Sequence, residues 1–419
     1  MEVSLMAIAA KPASRFTGER LGISLVFFLA GLWYASWVGR LSVIGDVFDF
    51  SSSGLGAFLA CLTAGSLVGL SVAPMLIRRF SIRNLLFYLP LALAIGLLLM
   101  GLSISTFVEP VLAYVVLLGS GIIFGTLDVA MNVYGGGVER RQGHSILPSL
   151  HGFFSLGTLL GAGAATATIS LQWPSLWHFS VISLIIAALA VWSTTLVADE
   201  TPAPAPTPVT EESWSSNAAS GRYTRYTLLL LGLMVAGLSF TEGAANDWLA
   251  VATNTGHGFS HSLGALVFTL FVAAMTLGRF TGGQIVDRLG SVRALLLMGG
   301  IGLFGVALFI AGDSAWSIGM GALFWGLGSS LGFPVGMSIA ASHSKHLGPR
   351  AVSIVSGFGY GAMLSGPPLI GLLGDHIGIL PALWLPALVM LGSLLLTPIV
   401  GKPARREGKK VTPAAEPGP

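Results

Sequence analysis

Long apolar runs, broken at short intervals by clusters of charge, make up most of the chain. No Lys, Arg, Asp or Glu occurs at 21–39, 50–77, 84–108, 294–312, 351–374 or 377–401. The stretch 145–198 is also free of all four, and Gln172-Trp173-Pro174 turns the chain within it. A helix needs about 20 apolar residues to cross the hydrocarbon core of a bilayer. The remaining runs are interrupted only by isolated acids or bases. The pattern predicts twelve spans, at 20–43, 54–77, 84–106, 110–136, 146–169, 175–197, 225–250, 262–285, 291–312, 315–341, 350–374 and 377–400. The runs are continuously apolar and do not alternate with period two, so they predict helices and not a barrel.

The placement of the few charges supports this count. With the N-terminus inside, 19 of the 21 Lys and Arg residues fall in cytoplasmic segments. The exceptions are Arg40, at the outer end of the first span, and Arg279, inside the eighth. The opposite loops carry acids and histidines, among them Asp46, Asp49, Glu109, Asp313, Asp375 and His376. Positive residues stay on the cytoplasmic side, so both termini are expected inside. Val3 to Ala10 is too short for a cleavable signal, and the first span is expected to act as an uncleaved anchor.

Composition narrows the class further. Apolar residues make up 53% of the chain and charged residues 9%, against about 25% charged in soluble domains. Neither a water-facing globule nor a disordered chain can be built from that. The 56 glycines suit close helix packing in lipid. The lone Cys61 excludes a disulfide framework and a thiolate metal cage.

The segment from Asp199 to Gly221 is rich in Pro, acids and Ser, and reads as a solvated cytoplasmic linker. It divides the chain into an N-terminal segment (1–19), a six-helix bundle (20–197), a linker (198–224), a second six-helix bundle (225–400) and a tail (401–419). The halves are similar. Leu55-Gly56-Ala57 opens span 2 as Leu263-Gly264-Ala265 opens span 8, and the segment 75–86 corresponds to 284–296. Parallel six-helix repeats around a central linker are a plan of secondary transporters.

Residues 283–293, GQIVDRLGSVR, resemble the loop motif G-x-x-x-D-R-x-G-x-x-R of the major facilitator superfamily, at the position of its second copy. The first copy, at 74–83, is degraded, with Arg78 in place of the acid and Ser81 in place of the glycine. Within the superfamily, 127–157 and FTEGAANDWLA (240–250) resemble an uncharacterised bacterial group near the fucose-permease-like symporters. Drug/proton antiporters of the superfamily carry an arginine in span 4 and a Gly-Pro pair in span 5. Here span 4 has Asp128, and the Gly-Pro pair is Gly366-Pro367 in span 11. The resemblance implies an all-α fold of twelve helices in two pseudo-symmetric bundles, with spans 1, 4, 7 and 10 lining a cavity. It also implies that Gly283, Asp287, Arg288, Gly290 and Arg293 latch the halves together on the cytoplasmic side in the outward-open state. With Arg78 facing Arg350, the matching latch between spans 2 and 11 is in doubt.

Polar groups within the spans are the candidates for transport. An ionised acid in hydrocarbon costs several kcal/mol, which taking up a proton relieves. Asp128 in span 4, with Asn132 one turn on, reads either as a proton carrier or as a brace to a neighbouring helix. Glu242 in span 7, with Asn246 one turn on, reads as a second proton or substrate group or as a fixed partner for Arg279. By the repeat, Glu242 is expected to face Trp33 across the cavity. Asp247, nearer the outer end, is expected to be solvated. Arg279 lies about 12 Å before Asp287 at helical rise, and reads as a static ion pair or a substrate contact. His151 reads as a proton relay or as a structural hydrogen bond. Trp33 and Trp37 in span 1, and Phe324 and Trp325 in span 10, are candidate cavity aromatics. Their alternative is packing or, with Arg40, an interfacial belt.

No phosphate loop, nucleotide motif, metal-spaced cluster or nucleophile elbow is present. Neither an enzyme nor a cofactor is expected, and a proton gradient is the expected energy source. The basic tail reads as topology and lipid contact, not nucleic-acid binding. The expected function is proton-coupled symport of a small polar or amphipathic solute by a monomer in the bacterial cytoplasmic membrane. The rivals are a drug or metabolite exporter and, remotely, a sensor on a transporter fold. The linker and tail are too short for a signalling domain.

Overall fold

The structure, a computed structural model, describes residues 13–142, 146–198, 218–347 and 350–400. Among these residues it is helical, with no strand. The first half holds α1 (Ala13–Val38), a short α2 (Leu41–Val47), α3 (Ser52–Arg79), α4 (Ile82–Leu102), α5 (Pro110–Gln142), α6 (Leu147–Ser170) and α7 (Ser175–Leu196). The second holds α8 (Ala218–Val251), α9 (His261–Leu289), α10 (Ser291–Ala311), α11 (Ala315–Ser329), α12 (Gly332–Leu347), α13 (Arg350–Ile377), α14 (Ile379–Ala382) and α15 (Trp384–Val400). Eleven stretches are long and apolar enough to cross a membrane by length and composition, and α13 takes the twelfth place. Span 10 is α11 and α12 in succession, Ala315–Ala340, and span 12 is Ile379–Val400.

Several boundaries depart from the expectation. The first span ends at Val38, and the chain bends through Gly39 and Arg40 into α2. Helix α5 continues past 136 to Gln142, and α8 begins at Ala218, inside the expected linker. In both cases polar residues extend a helix beyond the membrane, where water satisfies its backbone ends. Otherwise the linker, with the N-terminal segment to residue 12 and the tail, lies outside the described residues.

Local chemistry sets the turns. Serine side chains cap α3 (Ser51), α4 (Ser81), α9 (Ser260) and α11 (Ser314), each accepting a backbone N–H of the first turn. Ser314 and Ser317 form a reciprocal capping box. Gly290 joins α9 to α10 at φ +77, a conformation that favours glycine. In the degraded first copy of the motif, the equivalent turn is extended at Ser81, whose hydroxyl accepts the Asn84 N–H at 3.2 Å. That turn therefore needs no left-handed residue, which accounts for serine in the glycine position.

Glycine-lined crossings hold each half together. A Cβ on Gly157 or Gly31 would overlap backbone across the α1–α6 contact, and one on Gly65 or Gly121 would do so across α3–α5. In the second half, Gly326 packs on the Phe271 backbone, joining α9 to α11. The halves meet along two seams, α3 with α13 and α6 with α9.

The buried core shows how the halves sit. One cluster runs through the whole first half and into the outer part of the second, reaching Trp248, Phe268, Phe309 and Trp325. The inner part of the second half, from Leu228 to Leu238 with Met298, Val335 and Met390, packs as a separate cluster. The halves are thus joined at their outer ends and have separate cores towards the cytoplasm. A cavity of about 530 Å³ opens between α8 and α13, bordered by Ala236, Phe358, Gly361 and Ser365.

Candidate functional site

Four spans converge on the polar centre of the molecule. Helix α8 supplies Glu242 and Asp247, both buried. They are five residues apart, so at about 100° per residue they point to different neighbours. Glu242 turns to α9, where Arg279 Nη2 donates to its Oε1 at 2.6 Å. The same guanidinium donates from Nη1 to Ser155 Oγ of α6 at 3.1 Å. Arg279 therefore ties an acid of the second half to a hydroxyl of the first. Asp247 turns to α1, where the Tyr34 hydroxyl donates to its Oδ1 at 3.4 Å. Asp247 is buried, not solvated as expected from its position along the span. The fold places it under α1.

His151 sits in the second turn of α6. Its ring packs edge-on against Phe27, with centroids 5.2 Å apart, and it lies within electrostatic range of Arg279. Asn246, buried one turn beyond Glu242, completes the polar row on α8.

Asp128 lies apart from this group, near the middle of α5. Asn132 Nδ2 donates to its Oδ1 at 3.2 Å and to its backbone carbonyl at 2.8 Å. The carboxylate is within electrostatic reach of Tyr360 on α13, in the other half. Among the described residues, no Lys, Arg or His pairs with Asp128 or Asp247, whereas Glu242 has Arg279. The three intramembrane acids are thus of two kinds.

The aromatic candidates are placed elsewhere. Trp33 and Trp37 are almost fully buried inside the first half. Trp33 stacks on Phe124 at 5.3 Å, and Trp37 meets Phe58 edge-on at 6.5 Å. Neither faces Glu242; the residue of α1 that reaches α8 is Tyr34, which the spacing argument passed over. Trp325 is buried between Phe271 and Phe309. Phe324 packs 5.6 Å from Phe304, an exposed residue on α10, so it lies towards the periphery. Arg40 is no interfacial anchor. It is buried and donates to His178 Nδ1 (2.8 Å), Ser175 Oγ (3.1 Å) and the Trp173 carbonyl (3.0 Å), fixing the α1–α2 corner to the start of α7.

On the cytoplasmic face, Gly283, Asp287, Arg288, Gly290 and Arg293 are all exposed. Among the described residues, no ion pair engages Asp287. Two further carboxylates were not singled out in the sequence. Glu19 pairs with Arg141 at 2.9 Å, joining α1 to α5. Glu139 Oε2 accepts the N–H groups of Ile146 and Leu147 at 2.8 and 2.9 Å, a negative group at the positive end of α6.

Comparison with known proteins agrees with this architecture. The model of the Major Facilitator Superfamily matches residues 149–348 and 248–418. An uncharacterised MFS-type transporter of Yersinia pestis is 27% identical over 375 residues, spanning 89% of this chain and 93% of that protein. The crystal structure of the nucleoside transporter NupG superposes with a TM-score of 0.65 at 15% identity, over 91% of this chain and 98% of that one. A bacterial homolog of the human lysosomal transporter Spinster, inward-facing and unoccupied, gives 0.66 at 14% identity, over 93% and 98%. With its twelve helical spans, its two glycine-packed halves and the acids and arginine between them, the chain belongs to the Major Facilitator Superfamily of multi-pass membrane transporters.

Proposed function

We propose that the protein is a proton-coupled symporter of a small polar or amphipathic solute in the bacterial cytoplasmic membrane, acting as a monomer by alternating access. One observation carries the reading: Asp128, near the middle of α5, has an amide for a partner and, among the described residues, no counter-cation. A carboxylate in that setting is costly when charged, and a proton removes the cost. Asp128 is the proton carrier, and Asn132 orients it. Arg279 balances Glu242 and reaches Ser155 of the first half, so this group holds the centre in register and is not the carrier. Asp247, held by Tyr34, is a second protonatable group on the outer side of the site. The preference for a sugar-like solute and for uptake rests on the resemblance of 127–157 and 240–250 to the fucose-permease-like group.

The test is solute-driven proton movement in liposomes, screened over pooled sugars, amino acids, organic acids and cationic dyes. The expected result is proton flux in the direction of solute flux. Asp128→Asn is expected to abolish accumulation against a gradient while leaving solute exchange intact. The proposal fails if accumulation driven by a pH gradient survives neutralisation of both Asp128 and Asp247.

A second reading has its own support. An acid without a cation, near Tyr360 and the Phe333–Tyr360 ring pair at 5.7 Å, suits a cationic solute that competes with the proton. That arrangement is an exporter working by antiport, and opposite proton movement in the same assay selects it.

A further inference from the structure

Two polar contacts join the halves at their outer ends, at helix starts that the internal repeat relates to each other. At the start of α3, the Ser51 hydroxyl accepts the Gly54 N–H at 3.1 Å and lies 3.1 Å from the Ser53 hydroxyl. At the start of α9, the Ser260 hydroxyl accepts the Leu263 N–H at 3.3 Å and lies 3.1 Å from the Ser262 hydroxyl. Equivalent caps thus open equivalent helices, the second span of each half.

Each cap also reaches an acid of the opposite half. Ser51 Oγ donates to Asp375 Oδ2 at 3.2 Å, at the outer tip of α13. His261, next to Ser260, places Nε2 2.9 Å from Asp46 Oδ2 and Nδ1 3.0 Å from Ser42 Oγ, both belonging to the α2 corner of the first half. Neutral imidazole suffices. Its Nε2–H donates to the carboxylate, and Nδ1 accepts from the serine hydroxyl. Both acids also face a helix N-terminus, where negative charge is favoured. Beneath the Ser51 contact the backbones close tightly, since a Cβ on Gly56 would lie 2.9 Å from the Pro367 carbonyl oxygen. These are the surfaces that must part for the outer side to open.

We propose that Ser51–Asp375 and His261–Asp46–Ser42 are a pair of outer latches, built at helix starts that the repeat relates, that set how often the transporter opens to the outside, with His261 as a positioning residue. The proposal rests on the alternating-access reading above. Each latch is solvent-exposed, with the Asp46 side chain 56% and His261 29% accessible, so each is weak and reversible. Weak contacts suit a gate that must open in every cycle.

The experiment measures distances between spin labels in the purified protein, in lipid and without solute. One pair sits at Val47 and Leu266 across the outer seam, the other at Met75 and Leu289 across the inner one, in a Cys61→Ser background. His261→Ala and Asp375→Ala are each expected to raise the ratio of outward-open to outward-closed protein about two- to fivefold, the scale of an exposed polar pair. The double variant is expected to raise it further. His261→Gln, whose amide still donates to Asp46, is expected to stay close to the parent. If His261→Ala fails to fold, Asp46→Ala removes the same contact from the other side. An outer distance unmoved in every variant, while the inner pair responds to a pH gradient, overturns the latches and leaves alternating access standing. Distances that change at neither pair under any condition overturn both.

Discussion

Replacing Arg279 by Gln tests whether the centre of the molecule is held by a charge pair inside the second half that Arg279 also ties to the first half through Ser155. The guanidinium touches Glu242 at 2.6 Å and Ser155 at 3.1 Å. Removing one partner of a fully buried pair costs about 3–5 kcal/mol, because the remaining charge is left in a medium that cannot solvate it. The side chains here are 26% and 11% exposed, so part of that cost is met by water, and about 2–3 kcal/mol is expected. Glu242→Gln leaves an uncompensated arginine and is expected to cost a similar amount. The double variant Arg279→Gln/Glu242→Gln leaves two neutral amides that can bond to each other. It is expected to lie closer to the parent than either single variant does. The assay is thermal unfolding of the purified protein in one detergent, with midpoints compared across the cycle, since unfolding of such a protein is not reversible. Additive single effects, with the double variant the least stable of the three, would refute the ion pair as a structural unit.

Other outcomes follow from the same geometry. Tyr34→Phe removes only the hydroxyl that reaches Asp247, so transport is expected to change while the melting midpoint stays near the parent. Trp33→Ala opens a hole in the first-half core and is expected to cost about 3–5 kcal/mol, seen as lost stability with the solute affinity of the surviving fraction unchanged. Gly157→Ala drives a Cβ into the Phe28 carbonyl and is expected to abolish monodisperse protein, whereas Gly163→Ala, with nothing within 4 Å of the added atom, is expected to be silent by size-exclusion chromatography. At the outer tip of α13, hydrogen bonds from Ser53 above all hold the Asp375 carboxyl below its usual range. Its contribution to closure is therefore complete above the ordinary carboxylate pKa of about 3.9 and is lost only as pH falls through the lower value. The shift that Asp375→Ala causes in a label pair across the α3–α13 seam is expected to be the same at pH 7.5 and at pH 5.

The architecture was legible because lipid imposes a coarse rule: a span must be long, apolar and helical. Charge-free runs gave the twelve spans, and lysine and arginine gave their orientation. What the pattern could not give was rotation about each helix axis. Trp33 and Tyr34 are adjacent in sequence, yet about 100° apart on the helix. One is buried against α4 and α5 and the other meets Asp247. Without a strong polar–apolar division around α1, nothing in the spacing chose between them. Asp247 was misplaced for a related reason, because depth along a span does not reveal a neighbouring helix lying over it. The Gly290 turn was readable, since glycine in that motif meets a backbone demand. Glu19 and Glu139 were not, because their partners lie on other helices.

The division of the intramembrane acids into two kinds bears on mechanism more than their number does. Glu242 is balanced by the Arg279 guanidinium. Asp128 has only the Asn132 amide, which can donate to a carboxylate or accept from a carboxylic acid by rotating its side chain. A partner of that kind tolerates both protonation states and does not fix either. The same holds for Tyr34 at Asp247, since a phenol can donate or accept. On the proton-coupled reading proposed above, the carriers are paired with groups that adapt, and the fixed pair is made of groups that do not. Rocking of the halves on that reading breaks or stretches Arg279–Ser155 and Tyr34–Asp247, both of which cross between them. Arg279 can let go of Ser155 and keep Glu242. Asp247, once released from Tyr34, has no Lys, Arg or His paired with it among the described residues, so the same reading links outward opening to proton uptake at Asp247 through the identity of its partner.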